Sequence, residues 1–484
     1  MSTTLLMAAL SKVRPMEELS ALPPETGLLE VPEGIDPELV RTVFTGPLVF
    51  STGARGETRR ELLLGAAEKF ELVLLEPEDV TGAVSQTIGA ERRILTWRGT
   101  AATLDELRAQ LRRMTSVPAR WYRLEVEVTR SGEELVPLQL LRECGRRDVV
   151  AYATGAIGFW TRILSAYLGA PFVCATVAKS PEPGVPVIAQ LVADYGLPHV
   201  REVREIFGIV GSPVLQSLSP RLHNTAFEAI DRPSLYLPFH VNRFDHFWQD
   251  IVERHSIEAL GFSAGAFCIV SPHKEVALDA TKLRTHIVER AWSTNFFVKE
   301  GNDWTADTTD PEGVLVTLRE RGIDPRLQRI AVIGCGGSGR AVAAALQQAG
   351  ADVTLVNRGL DRASFARRLL QLPFCPLDTF SARGYSVVIN ATPVGRDGTA
   401  TPFNHDSLNS NAVVIDFAYG ENATPLVASM RERGQMTIDG RDVLMTQAMT
   451  QFRLMTGQEM PPHLARRILG REPADADGMV ALTA

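Results

Sequence analysis

Residues 330–350 carry the pattern that limits the fold of this chain most strongly. An apolar run at Ile330–Ile333 leads into Gly334, Gly336 and Gly339, and an alanine-rich helix pattern follows in "RIAVIGCGGSGRAVAAALQQAG". In a strand–turn–helix setting the first glycine allows a tight turn, the second lets the backbone approach a pyrophosphate, and the third permits close helix packing. The sequence therefore predicts a parallel α/β domain that binds a dinucleotide in this loop, with Gly337 beside it.

The next strand indicates which dinucleotide is bound. "DVTLVNR" ends in Asn357 and Arg358, with Arg362 one turn later, where NAD-binding folds carry an acidic residue for the ribose 2′-hydroxyl. A carboxylate would repel a 2′-phosphate, whereas guanidinium groups bind it bidentately. The predicted cofactor is therefore NADP.

The first 200 residues alternate short apolar runs with amphipathic stretches. The apolar runs extend from "TTLLMAALS" to "FVCATVAK", and the last helix pattern is "VPVIAQLVADYG". Roughly eight strand–helix units in about 200 residues favour a small (β/α)₈ barrel, whose reactive face is the C-terminal end of its strands. A doubly wound open sheet is the alternative topology.

Composition excludes several classes of function. The formal net charge is −7 and no long basic run offsets it, which argues against nucleic-acid binding. No apolar stretch reaches the roughly 18 residues of a membrane span, and the start lacks the charged region and cleavage site of a signal peptide. The five cysteines contain no CxxC pair and no metal-ligand spacing is present, so we expect a cytoplasmic protein without a metal.

The segment "IFGIVGSPVLQSLSPRLHNTAFEAI" resembles the shikimate dehydrogenases, whose entry motif is Gly-x-Pro, then Ser-x-Ser-Pro and His-Asn. The resemblance implies that Ser217 and Ser219 hold the carboxylate of shikimate, a plausible anion site because free backbone N–H groups point there as well. Locally, Ser219 is also expected to cap a helix that carries Pro220 at its first position.

Two further segments of that family's pattern carry groups for proton transfer. "GFSAGAFCIVSPHKEVA" resembles its strand–Pro–x–Lys–Glu segment and places Lys274 on the catalytic lysine. "WTADTTDPEGVL" resembles its Asn-Thr-Asp motif and places Asp310 on the catalytic aspartate. Hydride transfer to a ketone builds negative charge on oxygen, which a neighbouring cation or acid stabilises and protonates.

The remaining family segments follow in order along the chain. "VVINATPVG" and "IDGRDVLMTQAMTQF" imply cofactor contacts by Thr392 and Gly440. For the substrate, the resemblance implies contacts by four side chains: Ser293, Thr309, Tyr419 and Gln447.

Three positions depart from the family pattern. Val270 replaces a threonine, and Ser293 and Thr308 replace asparagines that normally bind ring hydroxyls. Losing such a partner in a desolvated site commonly costs about 1–3 kcal/mol. The alternatives are therefore a quinate/shikimate dehydrogenase with altered substrate preference, or an impaired protein that binds NADP and shikimate in a regulatory or scaffold role.

The end of the barrel region, "AYATGAIGFWTRILSAYLGAPFVCATVAKSPEPG", resembles the type I dehydroquinases, with Arg162 at their substrate-carboxylate arginine. The positions of that family's Schiff-base lysine and histidine fall near Arg123 and Arg98, and no histidine precedes His199. Arginine stays protonated and cannot replace either group. We therefore expect a barrel without dehydratase activity, the alternative being that Lys12 or Lys179 substitutes.

Together the resemblances imply NADPH-dependent, reversible reduction of 3-dehydroshikimate to shikimate, in the domain order of the bifunctional 3-dehydroquinate dehydratase/shikimate dehydrogenases. A homodimer or other shikimate-pathway enzymes are the expected partners. The predicted domains are a barrel (1–203), a substrate lobe (204–320 with 438–472), a Rossmann domain (321–437) and a flexible tail (473–484).

Overall fold

The structure is a computed structural model that describes residues 2–420 and 422–471, so the predicted tail, 473–484, lies outside the described residues. The chain divides into two compact units, Met1–Ala264 and Gly265–Ala484. This boundary falls inside a strand and follows none of the predicted domain limits, which stay a prediction.

Eight parallel strands form the first part of unit one, after a two-residue strand β1 (Ser2–Thr3). They are β2 (Leu5–Ala9), β3 (Leu28–Pro32), β4 (Leu48–Ser51), β5 (Leu72–Leu75), β6 (Arg93–Gly99), β7 (Trp121–Val126), β8 (Val149–Ala153) and β9 (Phe172–Thr176). The helices between and after them are α1 (Pro15–Ser20), α2 (Pro37–Arg41), α3 (Gly56–Ala66), α4 (Gly82–Thr87), α5 (Leu104–Thr115), α6 (Leu135–Cys144), α7 (Gly155–Tyr167) and α8 (Ile188–Tyr195).

These eight strands form a barrel, as predicted. Strand β2 pairs with both β3 and β9, so the first and last strands are neighbours. The Trp121 ring on β7 lies 5.2 Å from the Phe172 ring on β9, whereas in a flat sheet of this strand order they would be roughly 30 Å apart at about 4.8 Å per strand. The open-sheet alternative is therefore excluded.

The barrel encloses one buried core to which every strand contributes. Its members are Met7, Leu28, Val49, Leu72, Leu74, Ile94, Trp121, Val150, Tyr152, Ala170, Phe172 and Cys174. The described residues form no ladder between β8 and β9. There the Arg162 guanidinium covers the Tyr152 ring at 4.1 Å and donates to the Cys174 carbonyl at 3.2 Å, so a side chain bridges the seam.

The rest of unit one begins with β10 (His199–Val200), which pairs with β1. A parallel pair follows, β11 (Glu205–Gly211) and β12 (Ser234–His240), with α9 (Ser219–Ala229) between them. Two short helices, α10 (Phe244–Phe247) and α11 (Ser256–Ala259), flank a π-helical turn. The predicted cap is wrong by one residue: α9 begins at Ser219 and its cap is Leu218, because the backbone is already helical there.

Unit two opens with an antiparallel arrangement around β13 (Ser263–Ile269). Strand β15 (Phe296–Glu300) pairs antiparallel with β13 and with β16 (Asp303–Asp307), whereas β14 (Leu283–Arg284) pairs parallel with β16. Helices α12 (His286–Ala291) and α13 (Asp310–Glu320) complete this part.

A six-stranded parallel sheet follows, with strands β17 (Arg329–Ile333), β18 (Asp352–Asn357), β19 (Phe374–Pro376), β20 (Val387–Asn390), β21 (Val413–Asp416) and β22 (Thr437–Ile438). Their order, β19-β18-β17-β20-β21-β22, is the doubly wound order of dinucleotide-binding folds. The helices are α14 (Gly337–Gln348), α15 (Leu360–Leu370), α16 (Pro425–Glu432), α17 (Gly440–Thr456) and α18 (Pro462–Leu469). The Rossmann fold predicted from the glycine motif is confirmed.

Within the described ranges, no helix combines the length and the apolar character that a bilayer span requires. The same residues contain no group of three acidic, histidine or cysteine side chains placed to hold a metal ion.

Candidate active site

Lys274 and Asp310, predicted from two separate motifs, meet directly in unit two. The Lys274 ammonium donates to Oδ2 of Asp310 at 2.7 Å, and the two side chains are 14% and 3% exposed. Asp310 is the first residue of α13, where the free N–H groups of a helix start favour a negative charge. A buried ion pair of this kind needs further hydrogen bonds to offset its desolvation.

Amide side chains supply those hydrogen bonds on the other carboxylate oxygen. Oδ1 of Asp310 accepts from Nε2 of Gln447 at 2.8 Å and from Nδ2 of Asn295 at 3.0 Å. Gln447 was predicted as a substrate ligand, and it reaches this point because α17 packs against α13. The carboxylate is thus fixed from both sides, with one oxygen dedicated to the lysine.

Asn295 is a functional candidate that the motif comparison missed. Its Oδ1 accepts from the Thr309 N–H at 2.7 Å while its Nδ2 donates to Asp310. The predicted substrate residue Thr309 is 1% exposed, and its hydroxyl also accepts from Gln451 at 2.9 Å. Both amide atoms of Asn295 are therefore engaged within the protein. The signal available in the sequence was an asparagine directly before β15.

The glycine-rich loop touches the lysine. A second hydrogen bond of the Lys274 ammonium goes to the hydroxyl of Ser338 at 2.7 Å, in the first turn of α14. A Cβ added at Gly337 would lie 2.3 Å from Oγ of Ser293 and 3.1 Å from Cβ of Lys274. The glycine-rich loop and Lys274 are thus in direct contact. Ser338 was not predicted, because its partner is distant in sequence.

Arg340, which was also not predicted, connects the glycine-rich loop to the segments that contain Glu275 and Ala291. It is 1% exposed, and its guanidinium donates to the Ala291 and Trp292 carbonyls at 2.8 and 3.0 Å and to the Cys335 carbonyl at 3.1 Å. It also pairs with Glu275, the neighbour of Lys274, at 2.9 Å. Replacing it would leave buried carbonyls without donors.

The structure gives a separate explanation for the glycine at each position of the motif. Gly334 has φ +105, and a Cβ there would lie 2.8 Å from the Thr392 side chain. A Cβ at Gly339 would lie 1.8 Å from the Gly334 carbonyl oxygen, which permits only glycine. Gly336 caps α14 and has no heavy atom within 4 Å of an added Cβ. That open space, at the start of a helix, fits a pyrophosphate.

The groups predicted to select NADP over NAD lie at the end of β18 and directly after it. Asn357 accepts from the Cys335 N–H at 3.1 Å and donates to the Gly359 carbonyl at 2.7 Å, so it fixes the start of the glycine loop. Arg358 and Arg362 are exposed, and in the described part of the chain neither forms an ion pair. Their guanidinium groups are available to a phosphate.

A buried polar network supports Thr392 at the end of β20. The Asn390 carboxamide oxygen accepts from the Thr392 hydroxyl at 2.6 Å, and its Nδ2 donates to Asp416 at 2.8 Å. Thr424 donates to the other oxygen of Asp416 at 2.6 Å. Burial raises the pKa of Asp416 above its ordinary value, against the effect of these hydrogen bonds. Asn390 and Asp416 hold the strand ends of β20 and β21 in register.

Gly440 begins α17 against the end of β21. A Cβ there would lie 2.6 Å from the Ala418 carbonyl oxygen, so the helix start approaches this loop as closely as backbone allows. Asp439 caps the helix by accepting from the N–H groups of Arg441 and Asp442 at 2.9 and 3.3 Å. Tyr419, in the same loop, lies under the Arg396 guanidinium at 6.0 Å.

Ser293 and Thr308, two of the positions that depart from the family pattern, carry buried hydroxyls. They are 1% and 3% exposed, and neither hydroxyl has a hydrogen-bond partner among the described residues. A buried polar atom without a partner costs free energy.

Ser217 and Ser219 lie in unit one, at the loop that enters α9. The Ser217 hydroxyl accepts from the Ser219 N–H at 3.2 Å, a local turn that fixes the spacing of the two residues. Ser219 is 5% exposed and Ser217 is partly exposed.

The barrel interior holds arginine and carboxylate side chains. Arg123 lies 3.5 Å from Glu125 and 3.6 Å from Glu30, and its Nε donates to the Thr96 hydroxyl at 3.1 Å. Burial acts to lower the pKa of Arg123, yet Glu125 and its other neighbours raise it well above the ordinary value. This group stays protonated.

An ion pair connects the loop after β9 to the C-terminal end of strand β6. Arg98 donates to Glu182 in that loop at 2.6 Å and to Glu127 at 3.0 Å. Lys12 is largely exposed and paired with Glu33 at 2.9 Å. Lys179 lies in the loop itself and is exposed.

Comparisons with known proteins match three separate segments of the chain. A family profile described as type I 3-dehydroquinase matches residues 49–202, and one described as shikimate dehydrogenase substrate binding domain matches 209–291. A profile described as ketopantoate reductase PanE/ApbA matches 330–414, within the Rossmann sheet.

Individual proteins are similar to parts of the chain. A bifunctional 3-dehydroquinate dehydratase/shikimate dehydrogenase of Arabidopsis thaliana is 28% identical over 345 residues, or 66% of this chain and 56% of the relative. The crystal structure of shikimate 5-dehydrogenase from Thermus thermophilus in complex with NADP(H) and shikimate is 27% identical with a TM-score of 0.49, over 55% of this chain and 98% of that one.

The shikimate dehydrogenase (NADP(+)) of Methanocella arvoryzae is 33% identical over 269 residues, which are 54% of this chain and 97% of the relative. Because nearly the whole of that enzyme is matched at this identity, the chain belongs to the shikimate dehydrogenase family.

Proposed function

We propose that this chain catalyses the reversible, NADPH-dependent reduction of 3-dehydroshikimate to shikimate. The observation that carries the proposal is the Lys274 ammonium, which bonds at 2.7 Å both to Asp310 and to Ser338 of the glycine-rich loop. A proton donor next to a dinucleotide loop is what reduction of a ketone by hydride transfer requires.

The residues of the loop fit NADP. The open space at Gly336 and the start of α14 would receive the pyrophosphate, and Arg358 with Arg362 would receive the 2′-phosphate. Thr392 and Gly440 are proposed to line the nicotinamide side. The predicted cofactor agrees with the relatives, whose names specify NADP(+). A bound NADPH supplies the hydride.

The protein's own groups manage the proton. The Lys274 ammonium donates a proton to the carbonyl oxygen of the substrate as charge develops there, and solvent then restores the ammonium. Asp310 orients the lysine through the 2.7 Å hydrogen bond between the two side chains, both of which are largely buried. Gln447, Tyr419, Ser293 and Thr309 are proposed ring contacts, and Ser217 with Ser219 the carboxylate site. Positioned general acids contribute about 10²–10⁴-fold to rate.

The test is an NADPH-coupled assay of the full chain with 3-dehydroshikimate. Lys274→Met should lower kcat by about 10²–10⁴-fold, while NADPH affinity measured by calorimetry stays within a few-fold. Lys282→Met, an exposed lysine of the same segment, is the matched control and should behave as wild type. An inactive wild type, or an unaffected Lys274→Met variant, would contradict the proposal.

Altered substrate preference is a second candidate, favoured by the unpartnered hydroxyls of Ser293 and Thr308. A panel of shikimate, quinate and their ketones distinguishes the cases. Higher kcat/KM for quinate supports altered preference, and binding of NADPH and shikimate by calorimetry without turnover of any ligand supports the regulatory role. A cytoplasmic location, a homodimer and shikimate-pathway partners stay predictions.

We further propose that the barrel has lost dehydratase activity. Supporting observations are the charged Arg123 in the barrel interior, the absence of histidine before His199, and the engagement of Lys12 with Glu33 on the surface. Borohydride treatment with dehydroquinate followed by mass spectrometry is the test. A trapped adduct on Lys12 or Lys179 would overturn this part of the proposal.

A further inference from the structure

Helix α8, the last helix of the barrel, contacts the loop that carries Ser217. Nε2 of Gln190 donates to the main-chain carbonyl of Leu215 at 2.9 Å. Inside the loop, the described contacts are the Ser217 N–H to the Val214 carbonyl at 3.0 Å and the Ser219 N–H to the Ser217 hydroxyl at 3.2 Å. A loop with so few internal bonds depends on neighbours for its position.

One turn further along α8, Asp194 holds the beginning of α9. Its Oδ1 accepts from Nε of Arg221 at 2.7 Å, and its main-chain carbonyl accepts from Nδ2 of Asn224 at 2.9 Å. Asp194 is 5% exposed, so the carboxylate of this ion pair is shielded from water. Asn224 also exchanges hydrogen bonds with the Tyr236 main chain on β12, at 2.8 and 3.0 Å.

Apolar packing adds to these polar contacts. The Trp160 ring on α7 lies 4.9 Å from the Phe239 ring on β12, and both residues are fully buried. The barrel therefore supports the loop, helix α9 and strand β12 of the same compact unit through two consecutive helices. The substrate-domain profile matches only from residue 209 onward, so Trp160, Gln190 and Asp194 of the barrel lie outside the matched segment.

We propose that helix α8 is a structural part of the carboxylate site, with Gln190 and Asp194 as positioning residues that hold the Ser217–Ser219 loop in its binding geometry. The inference rests on the proposed function for the identity of the ligand. This gives the barrel a structural function that is independent of dehydratase activity. Without α8, the Leu215 carbonyl and the Arg221 guanidinium would form hydrogen bonds with water instead. The two serines would then lose their fixed position relative to strands β11 and β12.

The experiment uses the full chain with shikimate and NADP⁺, and it compares Gln190→Ala and Gln190→Met, which removes the donor at nearly the same volume and adds no charge. Each should raise KM for shikimate about 5–20-fold, the effect of losing one hydrogen bond to a positioned group. KM for NADP⁺ should stay unchanged. Gln86→Ala on the barrel surface is the matched control.

A second ligand separates positioning from general damage to the fold. Methyl shikimate lacks the carboxylate charge, so the preference of wild type for the acid over the ester should shrink in the Gln190 variants and in Asp194→Ala. An unchanged preference, or equal losses for acid and ester accompanied by a lower Tm, would overturn the inference.

Failure of the proposed function gives a different result. If wild type does not oxidise shikimate, calorimetric binding of acid and ester to wild type and to Gln190→Met still measures the carboxylate site. Weaker binding of the acid alone by Gln190→Met supports the positioning role, and identical binding by both proteins overturns it.

Discussion

Nδ2 of Asn295 donates to Oδ1 of Asp310 at 3.0 Å, on the carboxylate oxygen opposite the one that receives Lys274. The same amide accepts from the Thr309 N–H at 2.7 Å, so Asn295 fixes both the start of α13 and the carboxylate at its first residue. Asn295 is therefore a positioning residue for Asp310.

Asn295→Ala should therefore lower kcat for 3-dehydroshikimate about tenfold, the effect of one lost hydrogen bond to a charged group, with KM for NADPH unchanged. Steady-state kinetics measures both constants. Asn302→Ala, an exposed asparagine in the turn between β15 and β16, is the control and should retain wild-type kcat. A fully active Asn295→Ala enzyme would show that Gln447 alone positions Asp310.

The two arginines after β18 should determine the choice between NADP and NAD. Arg358→Ser combined with Arg362→Ser should raise KM for NADP⁺ about 10–100-fold, because charge-assisted phosphate contacts are lost, and leave KM for NAD⁺ unchanged. Arg383→Ser, at an exposed arginine elsewhere in unit two, serves as the control. Equal loss with both cofactors would place the 2′-phosphate elsewhere.

Gly339→Ala should abolish NADPH binding. The new Cβ would lie 1.8 Å from the Gly334 carbonyl oxygen, so α14 must move away from β17 and the loop must open. Overpacking of this kind costs about 1–3 kcal/mol, and we expect Tm to fall as well. Calorimetry and thermal unfolding test this. Gly65→Ala in α3, where an added Cβ has no neighbour within 4 Å, should leave Tm unchanged or raise it.

Glu134 should make stability depend on pH. Burial, with a smaller contribution from Asp250, raises the pKa of Glu134 to about 7. Oε2 of Glu134 accepts a hydrogen bond from the Gly132 N–H at 2.6 Å. Asp250 itself pairs with Arg254 at 2.9 Å. The folded protein therefore binds this proton more tightly than the unfolded chain does. Its stabilising effect is present at low pH and is lost as pH rises through about 7.

Glu134→Gln should remove that loss. Relative to wild type, the variant should gain on the order of 2–3 kcal/mol at about pH 8 and little at about pH 5. Urea unfolding at the two pH values measures the difference. Glu68→Gln, an exposed glutamate on the barrel, should show no such dependence. Equal shifts at both pH values would mean that Glu134 is ionised throughout.

Local backbone requirements made much of the fold predictable. The glycines of the dinucleotide loop and the alternation of apolar runs with amphipathic helices act over a few residues, so the sequence was enough to predict the Rossmann domain and the barrel. Lys274 and Asp310 were found because each lies inside a recognisable short motif. The cap of α9 was misplaced by one residue, since Leu218 is already helical.

The sequence by itself determined which elements form and which chemical groups the site contains, because those depend on local geometry and residue type. The tertiary structure decided which groups meet: Ser338 with Lys274, Asn295 and Gln447 with Asp310, and Gln190 with Leu215. Lys274 and Ser338 are 64 positions apart, and Asp310 and Gln447 are 137 apart. Contacts over such separations depend on strand order and helix packing, which no short sequence pattern specifies.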